Sequence, residues 1–192
     1  MSGSEERDEL RESLEKYVGQ PMGPGTVAPD PVNLPMIRHW VDALDDRNPV
    51  YLDEALAART RFRGIVAPPA MLQTWGMPRP KIQGIAERGG APDEMRSDNP
   101  VRALDAAGYV GTLATNSELE FVRYLRLGEQ LHVSSEVESI SSRKSTALGK
   151  GYFLTWINTY RTDAGEIVGR QLFRILKFDP KTIDLSRLGG AR

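Results

Sequence analysis

After Gly108 the hydrophobic period changes from that of a helix to that of a strand, which limits the chain to helices followed by an antiparallel sheet. LEFVRYL, LHVSSEVESI, GYFLTWINTYR and IVGRQLFRILKF are rich in β-branched and aromatic residues and read as four strands. In the second, Leu131, Val133 and Val137 face one way and His132, Ser134, Glu136 and Glu138 the other. The connections LGEQ, SSRKST and TDAGE are of hairpin length, and Asp163 and Gly165 suit a tight reversal. Tyr152, Trp156 and Tyr160 share one face of the third strand, the pattern of sheet packing or a subunit contact.

The segment before Gly108 is helical. Ser4 is placed as the cap of a helix over residues 4–18, with acids in its first turn and Leu10, Leu14 and Val18 on one side. GQPMGPGTVAPDP has no period and joins this helix to the main body as an extended connector. From an Asn33 cap, Met36, Trp40 and Leu44, flanked by Ile37 and Val41, form a wide apolar stripe. Pro49 ends that helix region, and Asp53 opens a second, short helix. GIVAPPAMLQTWGM is the most apolar short run and predicts a buried helix over residues 70–77, its prolines tolerated only at the first turn. Residues 78–107, rich in Gly and Pro, read as an irregular excursion. The fold class is therefore α+β, a curved antiparallel sheet around one central helix, with residues 1–29 as helix and connector, 30–180 as the main domain and 181–192 as a tail or linker.

A chain of 192 residues suits one domain with decorated ends. A net charge of −1 offers no basic field for a phosphate backbone, so nucleic acid is not an expected partner. The absence of cysteine removes disulfides, thiolate nucleophiles and sulfur-ligated metals. His39 and His132 have no carboxylate at metal-ligand spacing in sequence, so neither a metal nor a cofactor is expected. GIAERGGAPD follows no strand and opens no clear helix, which argues against a dinucleotide site. With no apolar leader and no stretch near ~20 apolar residues, the expectation is a cytoplasmic protein that makes no membrane contact.

The run Asp45-Asp46-Arg47-Asn48-Pro49-Val50-Tyr51, with Ala57 following, resembles the hydratase signature of the MaoC-like family, G-D-x-N-P-hydrophobic-H and then a small residue. GIVAPPAML is similar to the family's G-hydrophobic-hydrophobic-A-H-G-M-L, which opens the central helix of a hot-dog fold. The departures carry information: Asp45 replaces glycine, Tyr51 replaces histidine, and Pro68 and Pro69 replace the His-Gly pair. In active members, the resemblance implies, Asp and His hold one water while a backbone N–H at the helix start meets the thioester oxygen. Tyrosine, with a reference pKa near ~10, is a poor substitute for an imidazole that titrates near the working pH. Proline has no N–H with which to meet a developing oxyanion. On this reading no residue of the chain is catalytic; Asp46, Tyr51, Pro68 and Pro69 are degenerate positions, and Asp46 shapes a turn.

AGYVGTLATNSELEFVRYLRLGEQL and RILKFDP sharpen the resemblance to one branch, the MaoC-like domain in the large subunits of actinobacterial steroid side-chain enoyl-CoA hydratases. The branch implies a partner, a small MaoC-like subunit with an intact Asp/His pair, in a heterodimer that doubles to a heterotetramer. It implies an acyl-CoA substrate whose bulky acyl group lies in the cleft between the two hot-dogs. It also implies a thiolase-like aldolase docked by a zinc-ribbon and OB-fold domain, which a cysteine-free sequence does not contain. Arg143, Lys144 and Lys150 at a hairpin tip are candidates for CoA phosphates, and Arg123 and Asn116 for pantetheine or partner contacts, although exposed turns collect lysine in any case. Two other readings stand beside the non-catalytic hydratase subunit: an acyl-CoA binding or scaffolding module that docks an aldolase, and an accessory subunit of a fatty acyl thioester dehydratase.

Overall fold

The computed structural model describes residues 9–77, 79, 83–84 and 98–183. Its frame is a sheet of six strands: β1 (Thr26–Val27), β2 (Gly111–Phe121), β3 (Leu131–Ile140), β4 (Lys144–Thr146), β5 (Gly149–Thr162) and β6 (Ile167–Phe178). The order is β1-β3-β5-β6-β2, with β4 paired to β5, and every pairing is antiparallel. The β5–β6 reversal is the expected tight one: Gly165 takes a φ of 81° and its N–H donates to the Thr162 carbonyl at 2.8 Å.

Helices α1 (Glu9–Leu14), α2 (Leu34–Leu44), α3 (Glu54–Arg59), α4 (Leu72–Gly76) and α5 (Pro100–Ala106) surround the sheet. Asn33 caps α2 by accepting from the Met36 N–H at 3.0 Å, and Asp53 caps α3 by accepting from Leu56 at 2.9 Å, as the sequence predicts. Ile37 and Val41 of α2 are buried, whereas Leu44, at the end of the expected stripe, is exposed. The central helix is shorter than expected. A 3-10 turn over Pro69–Met71 precedes α4, with Pro68 at its cap and Pro69 at its first position, where a missing N–H costs no helical bond. Gly169 lets this helix approach the sheet: a Cβ there would meet Leu72 Cδ2 at 2.4 Å and the Glu120 carbonyl at 2.8 Å.

Two apolar clusters occupy the helix-bearing face. One gathers Ile37, Val41, Tyr51, Met71, Trp75, Leu131 and Tyr160 beneath α2 and α4; the other gathers Leu14, Leu104, Val137, Tyr152, Leu154 and Ile175 beneath α1 and α5. Between them lies Gln171, 1% exposed. Its amide donates to Gln73 Oε1 at 3.0 Å and Ser117 Oγ at 2.9 Å, and its oxygen accepts from Asn158 and from the Tyr160 hydroxyl, each at 3.0 Å. With both amide protons and both lone pairs engaged, the buried group carries little desolvation cost. At the far end Lys177, 2% exposed, donates to Asp105 at 2.6 Å and to Thr112 Oγ1 at 2.7 Å, fastening α5 to the sheet.

Several boundaries differ from the sequence reading. The strand expected at LEFVRYL runs instead over Gly111–Phe121, and its eleven residues are all half-buried or exposed, so no burial pattern marks it. β4 forms inside the expected SSRKST turn, and α5 inside the expected irregular stretch, its Asn99 cap accepting from Arg102 at 3.0 Å. Ser4 lies outside the described residues, and the first helix covers Glu9–Leu14 before tightening into a 3-10 turn. The connector is bound to the sheet: Gly19 and Met22 N–H groups donate to the Val137 and Ser135 carbonyls at 2.8 and 2.9 Å.

Asp105→Ala should cost about 3 kcal/mol in urea unfolding, since it leaves the buried Lys177 ammonium without its carboxylate. A loss under about 0.5 kcal/mol would mean that the pair does not hold α5.

Candidate functional site

The site begins where α2 ends. Asp45 adopts a left-handed conformation with φ of 50°, and the Asp46 N–H donates back to the Val41 carbonyl at 2.9 Å. This is the position where the signature has glycine, and a short polar side chain is the next best tolerated there. Asp46 Oδ1 then accepts from the Asn48 N–H at 3.0 Å, and Asn48 Oδ1 from the Val50 N–H at 3.2 Å. Two successive side-chain turns, with Pro49 opening a 3-10 turn over Pro49–Tyr51, deliver Tyr51 into the core at 6% exposure.

Tyr51 sits beside Tyr124 and within reach of the Asp46 charge. Burial first, then the neighbouring Tyr124 and Asp46, push its phenol above the ordinary tyrosine value. A group held neutral in this way is no general base near pH 7. Asp46 faces an open hollow that also contains Asp42, Asp45 and Asp53, with Arg47 paired to Asp45, so its net charge is negative and unfavourable to an anionic thioester.

The second expected element lies close by. The Ala67 N–H donates to the Leu125 carbonyl at 2.9 Å, Val66 bridges Arg126, and the chain then enters the two prolines. Pro68 is buried and its carbonyl accepts from Met71 at 3.0 Å; Pro69, the first residue of the 3-10 turn, has no hydrogen to give. Tyr51, which follows the turn at Asp46, and Val66, Ala67 and Met71, which flank the proline pair, belong to one core cluster.

The basic candidates are not brought together. Arg123 stands near the site, but its guanidinium is held by Glu129 at 2.7 Å and Glu166 at 2.7 Å, and these carboxylates raise its pKa further, while Arg123 lowers that of Glu166. Arg143, Lys144 and Lys150 flank β4 and the start of β5. Tyr160 lies about ten residues along β5 from Lys150, on the order of 30 Å at ~3.4 Å per residue, so this cluster is at the opposite end of the sheet. Asn116 is exposed at a register shift on β2. His132 gains a carboxylate that its sequence neighbourhood does not show, Asp163 at 2.6 Å across the sheet end, and His39 is exposed. Among the described residues no group of three or more His, Cys, Asp or Glu could hold a metal, and no helix is long and apolar enough to cross a membrane. Tyr124, Arg61, Phe62 and Arg126, which line a cavity beside Tyr51, carry no signal in the sequence because only the fold assembles them.

A sheet wrapped over a short helix that opens at the proline pair, with the signature turn packed against it, is the hot-dog architecture of hydratases and dehydratases. The chain belongs to the family described as FAS1-like, dehydratase domain region, which matches residues 17–171, and with it to the MaoC-like group. It is 43% identical to the probable enoyl-CoA hydratase alpha subunit of Thermomonospora curvata over 182 residues, 94% of this chain and 54% of that protein. It is 42% identical to the 3-oxo-4,17-pregnadiene-20-carboxyl-CoA hydratase alpha subunit of Mycobacterium tuberculosis over 154 residues, 80% and 47% respectively. The chain thus spans about half the length of these curated relatives. A chain of the ChsH1-ChsH2 complex from Mycobacterium tuberculosis superposes with a TM-score of 0.71 and 38% identity, covering 90% of this chain and 92% of that one. The R-hydratase PhaJ1 from Pseudomonas aeruginosa, 21% identical with a TM-score of 0.52 over 82% of each chain, shares the fold.

Raised phenol pKa values have a signed consequence. A neutral phenol favoured by the folded state contributes stability that is intact below about pH 10 and is lost as pH rises through the folded pKa. Tyr160 is pushed up to about 12 by burial and Tyr51 is also raised, so an ultraviolet titration should show late-ionising phenols. Tyr51→Phe should remove one of these. Loss of a phenol that ionises below pH 9 would contradict the buried, neutral Tyr51.

Proposed function

We propose that this chain is a non-catalytic subunit of a heteromeric enoyl-CoA hydratase acting on a bulky, steroid side-chain enoyl-CoA thioester. It shapes the acyl-CoA cleft while a small MaoC-like partner supplies the Asp/His dyad. The observation that carries the reading is that Tyr51, a buried neutral phenol, and Pro69, an amide without hydrogen, stand where the signature has its histidine and its helix-opening donor. Hydration of an enoyl thioester needs proton exchange at the β-carbon and a donor for the enolate oxygen. General acid–base help is worth ~10²–10⁴ and one oxyanion donor ~10²–10³, so losing both leaves the isolated chain with a negligible rate.

The bare edge of the sheet supports a partner. β2 exposes Leu113 and Phe121, with Val122 just beyond, and no strand among the described residues pairs with its outer side. Although Glu118 and Glu120 put charge on it, an unpaired edge of eleven residues is a template for another strand. The likeness to hydratase alpha subunits and to a chain of a two-protein complex accords with that reading. The proposal includes assembly as a heterotetramer and an association with a thiolase-like aldolase.

The test is a hydration assay with a steroid enoyl-CoA. The chain alone should be inactive and the complex with the small partner active. Asp46→Asn, which keeps an acceptor for the Asn48 N–H, should change the kcat of the complex by less than about threefold. A fall of ~10² or more, the loss expected for an acid–base residue, would return Asp46 to the reaction and end the proposal.

A further inference from the structure

A cavity of about 450 Å³ opens beside Tyr124, within the usual range for small-molecule sites. Its floor is Val66, Phe121 and Val122, its aromatic wall Phe62 and Tyr124, and its rim Arg61, Arg123 and Arg126. Among the described residues no acidic side chain lines it, although Glu129 and Glu166 hold Arg123 from behind. Three guanidinium groups border one hollow, and only that of Arg123 is paired with carboxylates.

The three arginines are not equivalent. Arg123 is fixed by Glu129 and Glu166 and forms a neutralised strut. Arg61 and Arg126 are exposed and make no ion pair among the described residues; Glu166 acts on Arg126 only through space. The Arg61 guanidinium lies 4.9 Å from the Phe62 ring centre, and Phe62 lies 4.6 Å from Tyr124 at 47°. Planar cations with several donors grip phosphate oxygens, and the half-buried Phe62 and Tyr124 leave part of their rings open to a heteroaromatic base. The two features together match a phosphorylated nucleoside better than a peptide carboxylate, which has no use for the ring platform. The cavity also adjoins the degenerate site: the backbone of Val66 bridges Arg126, and Tyr124 touches Tyr51.

Resting on the hydratase-subunit reading, we propose that this cavity holds the phosphorylated adenosine end of the CoA thioester, with Arg61 and Arg126 on its phosphates and Phe62 and Tyr124 against its base. The chain then contributes recognition of the handle at the place where its own chemistry is missing. Arg143, Lys144 and Lys150, at the other end of the sheet, take no part.

The probe is adenosine 3′,5′-bisphosphate, titrated calorimetrically into the assembled complex, with adenosine and inorganic phosphate as separate titrants. The bisphosphate should bind more tightly than either, and Arg61→Gln with Arg126→Gln should weaken it by about tenfold or more, while Arg143→Gln with Lys144→Gln leaves it unchanged. In the hydration assay the arginine pair should raise KM for the thioester with kcat retained. Should the variant not assemble, the wild-type complex decides: bisphosphate should protect Arg61 and Arg126 from phenylglyoxal, and unprotected arginines overturn the assignment. Equal binding of the bisphosphate by wild type and variant also overturns it. So does inorganic phosphate that binds as well as the bisphosphate, or dissociation of the partner by the substitutions, which would make the cavity a seat for an acidic partner segment. An inactive complex that still binds bisphosphate through these arginines supports the cavity and refutes the hydratase reading. An active complex indifferent to both arginines refutes the cavity alone.

Discussion

The rest of the structure depends on a sheet that stops without being finished. Four antiparallel pairings bring β1, β3, β5, β6 and β2 into order, and then β2 presents its outer hydrogen-bonding groups to nothing within the described chain. Natural proteins blunt such edges with short strands, bulges, proline or charge. β2 has one register shift near Asn116, yet it continues for eleven residues and ends in the exposed apolar pair Phe121 and Val122. That pair is also the floor of the arginine-rimmed cavity, so whatever completes the edge also borders the cavity.

Set against that unfinished edge, the signature turn is over-determined. Asp46 and Asn48 each hold a backbone N–H two residues on, and Asp45 takes the left-handed backbone that lets α2 end there. The turn is therefore held by its own hydrogen bonds, whatever chemistry it borders. Tyr51 fills the core beside Val50 and Ala57, where an imidazole would need a partner for each ring nitrogen, and the prolines start α4 without an amide to aim at a ligand. Nothing in this packing asks for an imidazole or for the amide hydrogen.

How much of this could be read from residues alone follows from which interactions are local. Caps at Asn33 and Asp53, the stop at Pro49 and the reversal at Gly165 act over a few residues and were legible. The buried strands were legible where one face is apolar and the other polar. β2 was not, because neither of its faces is buried in this chain and period two carries no hydrophobic signal there. α5 was not, since its packing rests on Leu104 and on a Lys177–Asp105 contact across a long sequence separation. For the site, the motif gave Asp46, Tyr51 and the prolines, but the arginine-rimmed cavity draws on residues 61–66 and 121–126, which the fold brings together through the Val66–Arg126 bridge and the Phe62–Tyr124 contact. Charge counting along the sequence favoured the hairpin lysines, which the fold carries to the far end.

The claim that a second subunit completes this half is tested most directly by hydrogen–deuterium exchange across Gly111–Phe121, measured for the chain alone and with its small partner. The account predicts fast exchange at every second amide of β2 in the isolated chain and strong slowing of those same amides in the complex. Protection that is identical in the two samples would contradict it.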